Sequence, residues 1–339
     1  MNIPYEMQEA TEKLLEKRSI LNIRNCVSSI CERYNNDSGH GKVLVKNEEE
    51  AVSYAISRMP GTFGAVKSAA EAVREALEPF WEEHRDMIPK TLTDVGSGTG
   101  AAVWAIDSCF ELEKINCLER ENAMIEIGKH MLSYGDEVMK NATWIREDAA
   151  KEGERRNMSA DLVTASYIMN ELKPEDRDSF LKLLWDLSEK MIILLEPGTK
   201  IGFRNISYAR EFFIDKGAKV VAPCTHSSPC PLGKDDWCHF SCRMQRSKVQ
   251  KFVKGGDAPY EDEKFSYVAV LKDAGYDSGE GSRIIRHPVI SKGCVELKTC
   301  SVSGCEEFKV TSRDKALFKT ARKAEWGDRW ERADHLDDR

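Results

Sequence analysis

Two hydrophobic rhythms divide the 339-residue chain. Over residues 1–85 the apolar positions recur at helical spacing. Ala51, Tyr54 and Ala55 form one group, and Val66, Ala69, Ala70, Val73 and Leu77 form another. Residues three and four apart share a helix face, so this stretch predicts helices. Pro60 and Gly61 are expected to break it, and Pro89 to end it. From Thr91 onward, short apolar runs alternate with helical stretches. Strands are predicted at 91–95, 115–118, 142–145, 161–165, 191–195 and 218–222. Helices are predicted around 101–110, 121–134 and 207–216, with another starting at Pro174. Alternation of this kind builds right-handed βαβ units on a parallel sheet. A seventh strand returns at 265–271. Residues 223–262, rich in Cys, Pro, Gly and basic side chains, are expected to be an insertion before it. Residues 283–311 read as short strands with turns at Gly293 and Gly304. Asp314 opens a short basic helix.

The loop after the first strand carries chemistry. It reads Asp94-Val95-Gly96-Ser97-Gly98-Thr99-Gly100. Glycines permit a tight turn and close approach to a ligand, and the following helix start offers free N–H groups. The G-x-G-x-G spacing and the preceding acid differ from a dinucleotide fingerprint. No Gly-Lys-Ser/Thr follows, which excludes a Walker loop. The motif resembles motif I of class I S-adenosylmethionine-dependent methyltransferases. Glu119 closes the second strand, where it can accept both ribose hydroxyls. Asp148 follows the third, where it can hold the adenine amino group. Asp94, Gly96, Ser97, Gly98, Gly100, Glu119 and Asp148 are therefore the cofactor-binding candidates. Tyr167, Asn170 and Glu171 follow the fourth strand at the expected ligand crevice and are the catalytic candidates. No Asn/Asp-Pro-Pro-Tyr motif is present, and no cysteine ends the fourth or fifth strand. The acceptor atom is thus unspecified.

Eleven cysteines change the picture, because seven of them crowd into residues 224–305. With an odd number and no secretory signal, a metal is expected rather than disulfides. Cys224, Cys230, Cys238 and Cys242 are spaced six, eight and four apart. This spacing fits zinc or an iron–sulfur cluster and does not separate them. His226 and His239 are further donors.

The segments Pro223-Cys224, Pro229-Cys230-Pro231-Leu232 and Trp237-Cys238-His239-Phe240-Ser241 carry a more specific likeness. So do Arg58-Met59-Pro60, Asn170-Glu171-Leu172, Leu195-Glu196-Pro197-Gly198-Thr199 and Lys264-Phe265-Ser266-Tyr267. Arg283-Ile284-Ile285-Arg286, Ala321-Arg322-Lys323 and Trp326-Gly327-Asp328 complete the set. Together they resemble the mitochondrial small-ribosomal-subunit methyltransferase-like (Rsm-type) family and its bacterial and archaeal relatives. The resemblance implies a four-iron, four-sulfur cluster held by Cys224, Cys230, Cys238 and Cys300. Cys242, Cys294 and Cys305 depart from the family pattern and leave the fourth ligand open. It also implies a small ribosomal subunit and its ribosomal RNA as partners, with methylation or subunit assembly as the activity.

Charge is split along the chain. Residues 1–199 carry a net −12 and residues 200–330 a net +7, within an overall −7. A basic second half suits an anionic partner. The residues in question are Arg243, Arg246, Lys248, Lys251, Lys254, Arg283, Arg286, Lys292, Lys315, Lys319, Arg322 and Lys323. His239 and Phe240 are candidates for stacking on unpaired bases.

The expected architecture is α/β: a class I methyltransferase (Rossmann-like) seven-stranded sheet. A helical arm occupies 1–88, the methyltransferase domain 89–272 with its cysteine-rich metal loop at about 223–262, and a small β module 273–339. No run of apolar residues is long enough to span a membrane. The acid-containing start resembles neither a secretory signal nor a mitochondrial presequence. A cytoplasmic monomer is expected.

Overall fold

The computed structural model describes residues 1–331 apart from 17, 38–41, 43, 150–157, 234, 274, 279 and 280. The expected C-terminal module therefore runs past the described residues over 332–339. Four helices come first: α1 (Tyr5–Leu15), α2 (Ile20–Asp37), α3 (Glu48–Ser57) and α4 (Met59–Glu83). The main sheet follows, with β1 (Thr91–Val95), β2 (Lys114–Glu119), β3 (Thr143–Arg146), β4 (Ala160–Ser166) and β5 (Ser188–Pro197). These alternate with α5 (Ala101–Asp107), α6 (Asn122–Leu132), α7 (Glu137–Lys140) and α8 (Arg177–Leu187). Then come α9 (Lys200–Asp215), β6 (Lys219–Ala222), β7 (Phe240–Gln245), α10 (Lys248–Lys254) and β8 (Tyr260–Leu271). The strand order is β3-β2-β1-β4-β5-β8-β6, with β7 paired to β8. β1 through β5 pair in parallel, and β8 runs antiparallel between β5 and β6. The rhythm of apolar runs predicts the parallel strands, and the whole is the Rossmann-like methyltransferase arrangement that the glycine-loop resemblance implies, with β7 making the sheet eight-stranded rather than seven-stranded.

A period of two assigns side chains to the two faces of the sheet. Ile193, Leu195, Ala269 and Leu271 join the core under α1 to α6, while Ile192, Leu194, Val268 and Val270 join the core under α8 and α9. The central strand β5 is a continuous apolar run because both faces are covered. Each fully buried Ile or Leu there contributes about 1.5–3 kcal/mol.

The structure adds detail to the sequence expectation at several points. The helical segment packs on the sheet: α4 buries Phe63, Val66, Ala70, Val73 and Leu77 in the main core. The break expected at Pro60 falls at Arg58, between α3 and α4, and Pro60 sits in the first turn of α4, where its missing N–H costs nothing. The stretch 223–262 is not all loop. It contains β7 and α10, and α10 is closed by a Ser247–Gln250 capping box and by Gly255 in the left-handed region. β8 begins five residues before the expected strand because those residues pair with β7. Its burial alternates over Tyr260–Lys264 and becomes continuous from Phe265, where β5 and β6 flank it.

A second, smaller antiparallel sheet contains β9 (Ser282–Ile284), β10 (Val289–Ser291), β11 (Cys294–Ser301), β12 (Gly304–Thr311) and β13 (Arg329–Trp330). Helix α11 (Lys315–Ala321) covers it, with Asp314 as the expected N-cap accepting from Leu317 N–H. Among the described residues, no helix is long and apolar enough to cross a membrane.

Candidate functional site

The glycine loop closes the carboxyl end of β1. Gly96 N–H and Ser97 N–H both donate to the Leu118 carbonyl, at 2.8 and 3.1 Å. Gly96 lies at φ 71°, and a Cβ there would stand 2.2 Å from Ile168 Cδ1. Gly98, at φ 54°, faces Met124 and Tyr54. Gly96 requires glycine for both conformation and space, and Gly98 for conformation.

Beside this loop opens a cavity. Gly96, Gly98, Glu119, Asp148, Tyr167 and Glu171 line it, so six of the sequence candidates meet there. Both oxygens of Glu119 are engaged: Oε2 accepts from Gly98 N–H at 2.8 Å, and Oε1 from Arg120 and Glu121 N–H at 2.8 and 2.9 Å. Burial raises its pKa and these backbone donors oppose the rise. Glu171 pairs with Arg120 at 3.7 Å.

The other candidates act from outside the cavity wall. Asp94 is buried beneath the loop and accepts from Thr164 Oγ1 at 2.6 Å. Burial pushes its carboxyl up to about 7. Ser97 Oγ donates to the Asp94 carbonyl at 2.8 Å, which tightens the turn. Gly100 is the left-handed N-cap of α5. Asn170 is half-buried and does not line the cavity.

Tyr167 has φ 66°, the left-handed region that a non-glycine residue enters only under constraint. Its hydroxyl donates to Glu263 Oε1 at 3.1 Å. Burial raises the pKa of both groups. Sequence reasoning missed Glu263, which sits in the alternating start of β8 with no motif around it. It also missed Leu44, Val45 and Tyr54, apolar wall residues brought in by the N-terminal helical segment. Only the helical spacing of Tyr54 hinted at a buried role.

A second constellation lies where the loop 223–239 meets the small sheet. Burial raises the pKa of Cys230, Cys238, Cys300 and Cys305, and neighbouring thiols of the set, Cys224 among them, add to each rise. Cys238 is raised well above the usual thiol value, first by burial and then by Cys224 and Cys230. Cys300 is raised by burial, Cys305 and Cys224. The loop is held from both sides. Arg210 donates to the carbonyls of His226 and Ser228 at 2.9 and 2.6 Å, and Arg283 Nε donates to the Pro223 carbonyl at 2.7 Å. Cys242 and Cys294 lie apart. Cys242 is buried in the main core against Gly64, its thiol pushed up to about 12 by burial and Glu263. Cys294 lies opposite Thr311.

The donor chemistry suits a thiolate-bound group. Among the described residues, however, no three His, Cys, Asp or Glu side chains are placed to hold a single metal ion. His226 Nδ1 contacts the Ser228 carbonyl at 3.2 Å, and His239 stacks on Trp237 with ring centroids 5.3 Å apart. Desolvation lowers the pKa of both histidines.

The basic surface is narrower than the sequence suggests. Arg283 is buried, and its contacts with Pro223 and Gly327 are structural. Arg286 contacts Asp236. Arg243 forms a two-pronged bond to Asp262 at 2.7 and 2.8 Å, and Arg246 and Lys254 share Glu261. β8 carries these acids in register with β7, which composition alone does not reveal. Lys248, Lys292, Lys315, Lys319, Arg322 and Lys323 are exposed. Phe240 is buried against Phe265 and Tyr267, so it is unavailable for stacking on a base.

Comparison with known proteins sets these features in context. Human METTL17, a mitochondrial ribosome assembly protein, is 26% identical over 307 residues, covering 85% of this chain and 64% of the human protein. The mitochondrial Rsm22-cox11 tandem protein 2 of Schizosaccharomyces pombe is 26% identical over 49% of this chain and 28% of its own length. The chain thus spans less than two thirds of either relative. Among solved structures, magnesium protoporphyrin IX methyltransferase from Synechocystis PCC 6803 with bound SAM aligns with 73% of this chain and 92% of that one. Its TM-score is 0.39 at 12% identity. The cytoplasmic location expected from the first residues is corrected by these relatives, which are mitochondrial proteins. That expectation rested on a dozen residues, and where a chain begins does not decide its compartment. The family model described as mitochondrial small ribosomal subunit Rsm22 matches residues 48–331, and the chain belongs to that family.

Proposed function

We propose that this protein is a methyltransferase-like factor of the mitochondrial small ribosomal subunit that binds S-adenosylmethionine in the glycine-loop cavity. The observation that carries this reading is the convergence of Gly96, Gly98, Glu119 and Asp148 on one cavity in a member of the Rsm22 family. Glu119 would hold the ribose, Asp148 the adenine, and the Gly96–Gly98 backbone the amino-acid end. Asp94, Ser97 and Gly100 shape the loop from below. The cofactor supplies an electrophilic methyl group on a sulfonium. Tyr167 and Glu171 border the cavity where an acceptor would approach, and transfer needs chiefly alignment.

Ribosomal RNA is the proposed partner of the exposed lysines and arginines on the small sheet and α11. Cys224, Cys230, Cys238 and Cys300 are the proposed ligands of a four-iron, four-sulfur cluster. Such a group would tie the 223–239 loop to the small sheet and so hold the RNA-facing module on the main sheet.

A second reading is an assembly factor that binds cofactor and RNA but transfers nothing. Two observations favour it: the Tyr167 hydroxyl is committed to Glu263, and the human relative is named an assembly protein. The test is calorimetric titration of S-adenosylmethionine into the wild type and Gly96→Val, followed by a methyl-transfer assay on small-subunit RNA. Valine would meet Ile168 and would have to enter the left-handed region, so binding is expected to be lost, and circular dichroism on the variant separates that loss from unfolding. Binding with transfer supports the enzyme, and binding without transfer supports the assembly factor. Equal binding by both proteins removes the cavity assignment.

A further inference from the structure

The thiol nest contains one cysteine more than four ligands require, and its position is informative. Cys300 on β11 and Cys305 on β12 are direct cross-strand partners, with Ser301 opposite Gly304 closing the turn between them. Directly opposed residues in an antiparallel pair point to the same face, with Cα atoms about 4.5–5.5 Å apart. That separation falls inside the about 4.4–6.8 Å range that a disulfide spans. The two side chains already contact each other, and each is half-buried rather than sealed in the core. No cysteine stands opposite Cys294, and Cys242 has Glu263 as its β8 partner.

We propose that Cys300 and Cys305 form a redox pair. When the nest holds no metal, they close a disulfide across β11 and β12, which withdraws Cys300 from the ligand set. Metal can then be reloaded only after a thiol reductant opens the bond. The withdrawal half rests on the reading of Cys300 as a ligand. The oxidant is a small-molecule disulfide such as glutathione disulfide. The Cys305 thiolate attacks one of its sulfurs and expels a glutathione thiolate. The Cys300 thiolate then attacks Cys305 Sγ and expels the second. One S–S bond breaks and one forms. The two protein thiols are oxidised, two glutathiones are reduced, and the two thiol protons pass to them.

The experiment uses the full chain. Metal is stripped anaerobically with a chelator, and the protein is treated with glutathione disulfide, alkylated and digested with trypsin. Cys300 and Cys305 fall in one peptide, Thr299–Lys309, with no internal Lys or Arg. Closure is read as a loss of two hydrogens and a failure to alkylate. Iron and zinc uptake are then measured on the oxidised and reduced samples. The wild type is expected to close the bond and, while closed, to bind metal at least about tenfold more weakly. Reduced Cys305→Ser is expected to keep its metal and to lose the oxidation sensitivity. The proposal is overturned if Thr299–Lys309 keeps both thiols while other cysteines oxidise. It is equally overturned if reduced Cys305→Ser cannot hold metal, because Cys305 would then be a ligand itself. A reduced wild type that binds no metal refutes the reading of the nest and the withdrawal with it, whether or not the bond closes. The mass readout needs no metal and no variant, so the two failures are distinguishable.

Discussion

The glycine-loop cavity and the thiol nest meet the same problem, buried polar groups, in opposite ways. In the cavity every oxygen of Glu119 already has a backbone donor, and the Gly96 and Ser97 N–H groups are held by Leu118. The loop and its acid are held in place before a ligand arrives, so little backbone remains to be ordered on binding. In the nest, burial and then neighbouring thiols raise the pKa of Cys230, Cys238, Cys300 and Cys305, so a cation has to take the place of their protons. Preorganisation therefore belongs to the cavity, and coupling between binding and folding belongs to the nest.

The largest effect that tests this contrast is at Cys238. In structural zinc sites the metal contributes about 10–16 kcal/mol of apparent binding energy, and that energy is also folding energy. Cys238→Ser is therefore expected to bring metal content to background and to speed proteolysis within 223–239, while S-adenosylmethionine binding is unchanged. Cys242→Ser, at a thiol outside the nest, is expected to retain full metal content. Elemental analysis, limited proteolysis and calorimetry on the three proteins check this. If the cavity fails together with the nest, the two sites are one cooperative unit and the contrast is wrong.

A smaller effect sharpens the cavity side. Asp94 has a folded pKa of about 7 against 3.8 when free, because burial disfavours its charge. Between those values the folded chain binds more protons than the unfolded one. Its contribution to stability is thus fully present below about pH 4 and is lost as pH rises through about 7. Burial raises Glu196 to about 8, and it adds a similar loss at slightly higher pH. The Asp94 loss is on the order of a few kcal/mol. Asp94→Asn is expected to remove it and keep the Glu196 part, so the variant should outlast the wild type at pH 8 in urea titrations. An unchanged pH profile would mean that Asp94 is ionised in the fold, and that the cavity carries its charge without strain.

The same contrast explains what the sequence made legible. The cavity is assembled from strand ends, and each strand announces itself by an apolar run. The residue at its carboxyl end, Glu119 closing β2 or Tyr167 just after β4, is then placed by topology alone. The glycine loop adds a local motif. The cavity walls from residues 44–54 were not legible, because nothing in their sequence says which face of the sheet they cover. The nest joins residues about 75 apart in the chain, Cys224 and Cys300. Spacing left Cys242 as good a fourth donor as Cys300. Only the pairing of β7 with β8 shows that Cys242 points into the main core, and only the β11–β12 register brings Cys305 beside Cys300. Charge was misread for the same reason. Arg243 and Arg246 look like a basic patch until β8 places Asp262 and Glu261 across from them.

That last point gives the smallest expected effect. Lys315 and Lys319 lie four residues apart on α11, on one exposed face. A lysine that neutralises a phosphate releases a counterion, so its loss flattens the dependence of RNA affinity on salt. The change is about 0.7 per contact for single-stranded RNA and about 0.9 for a duplex. Lys315→Ala and Lys319→Ala are each expected to reduce the slope of log affinity against log salt by about that much, with no change in sequence preference. Arg243→Ala is expected to leave the slope almost unchanged, because its guanidinium already lies against Asp262 and contributes little uncompensated charge. Filter binding to a small-subunit RNA fragment at several salt concentrations measures all three. An equal drop for Arg243→Ala would show that RNA displaces Asp262 from its partner. The RNA surface would then extend from the small sheet across β7, and the nest would lie beneath its middle rather than at its edge.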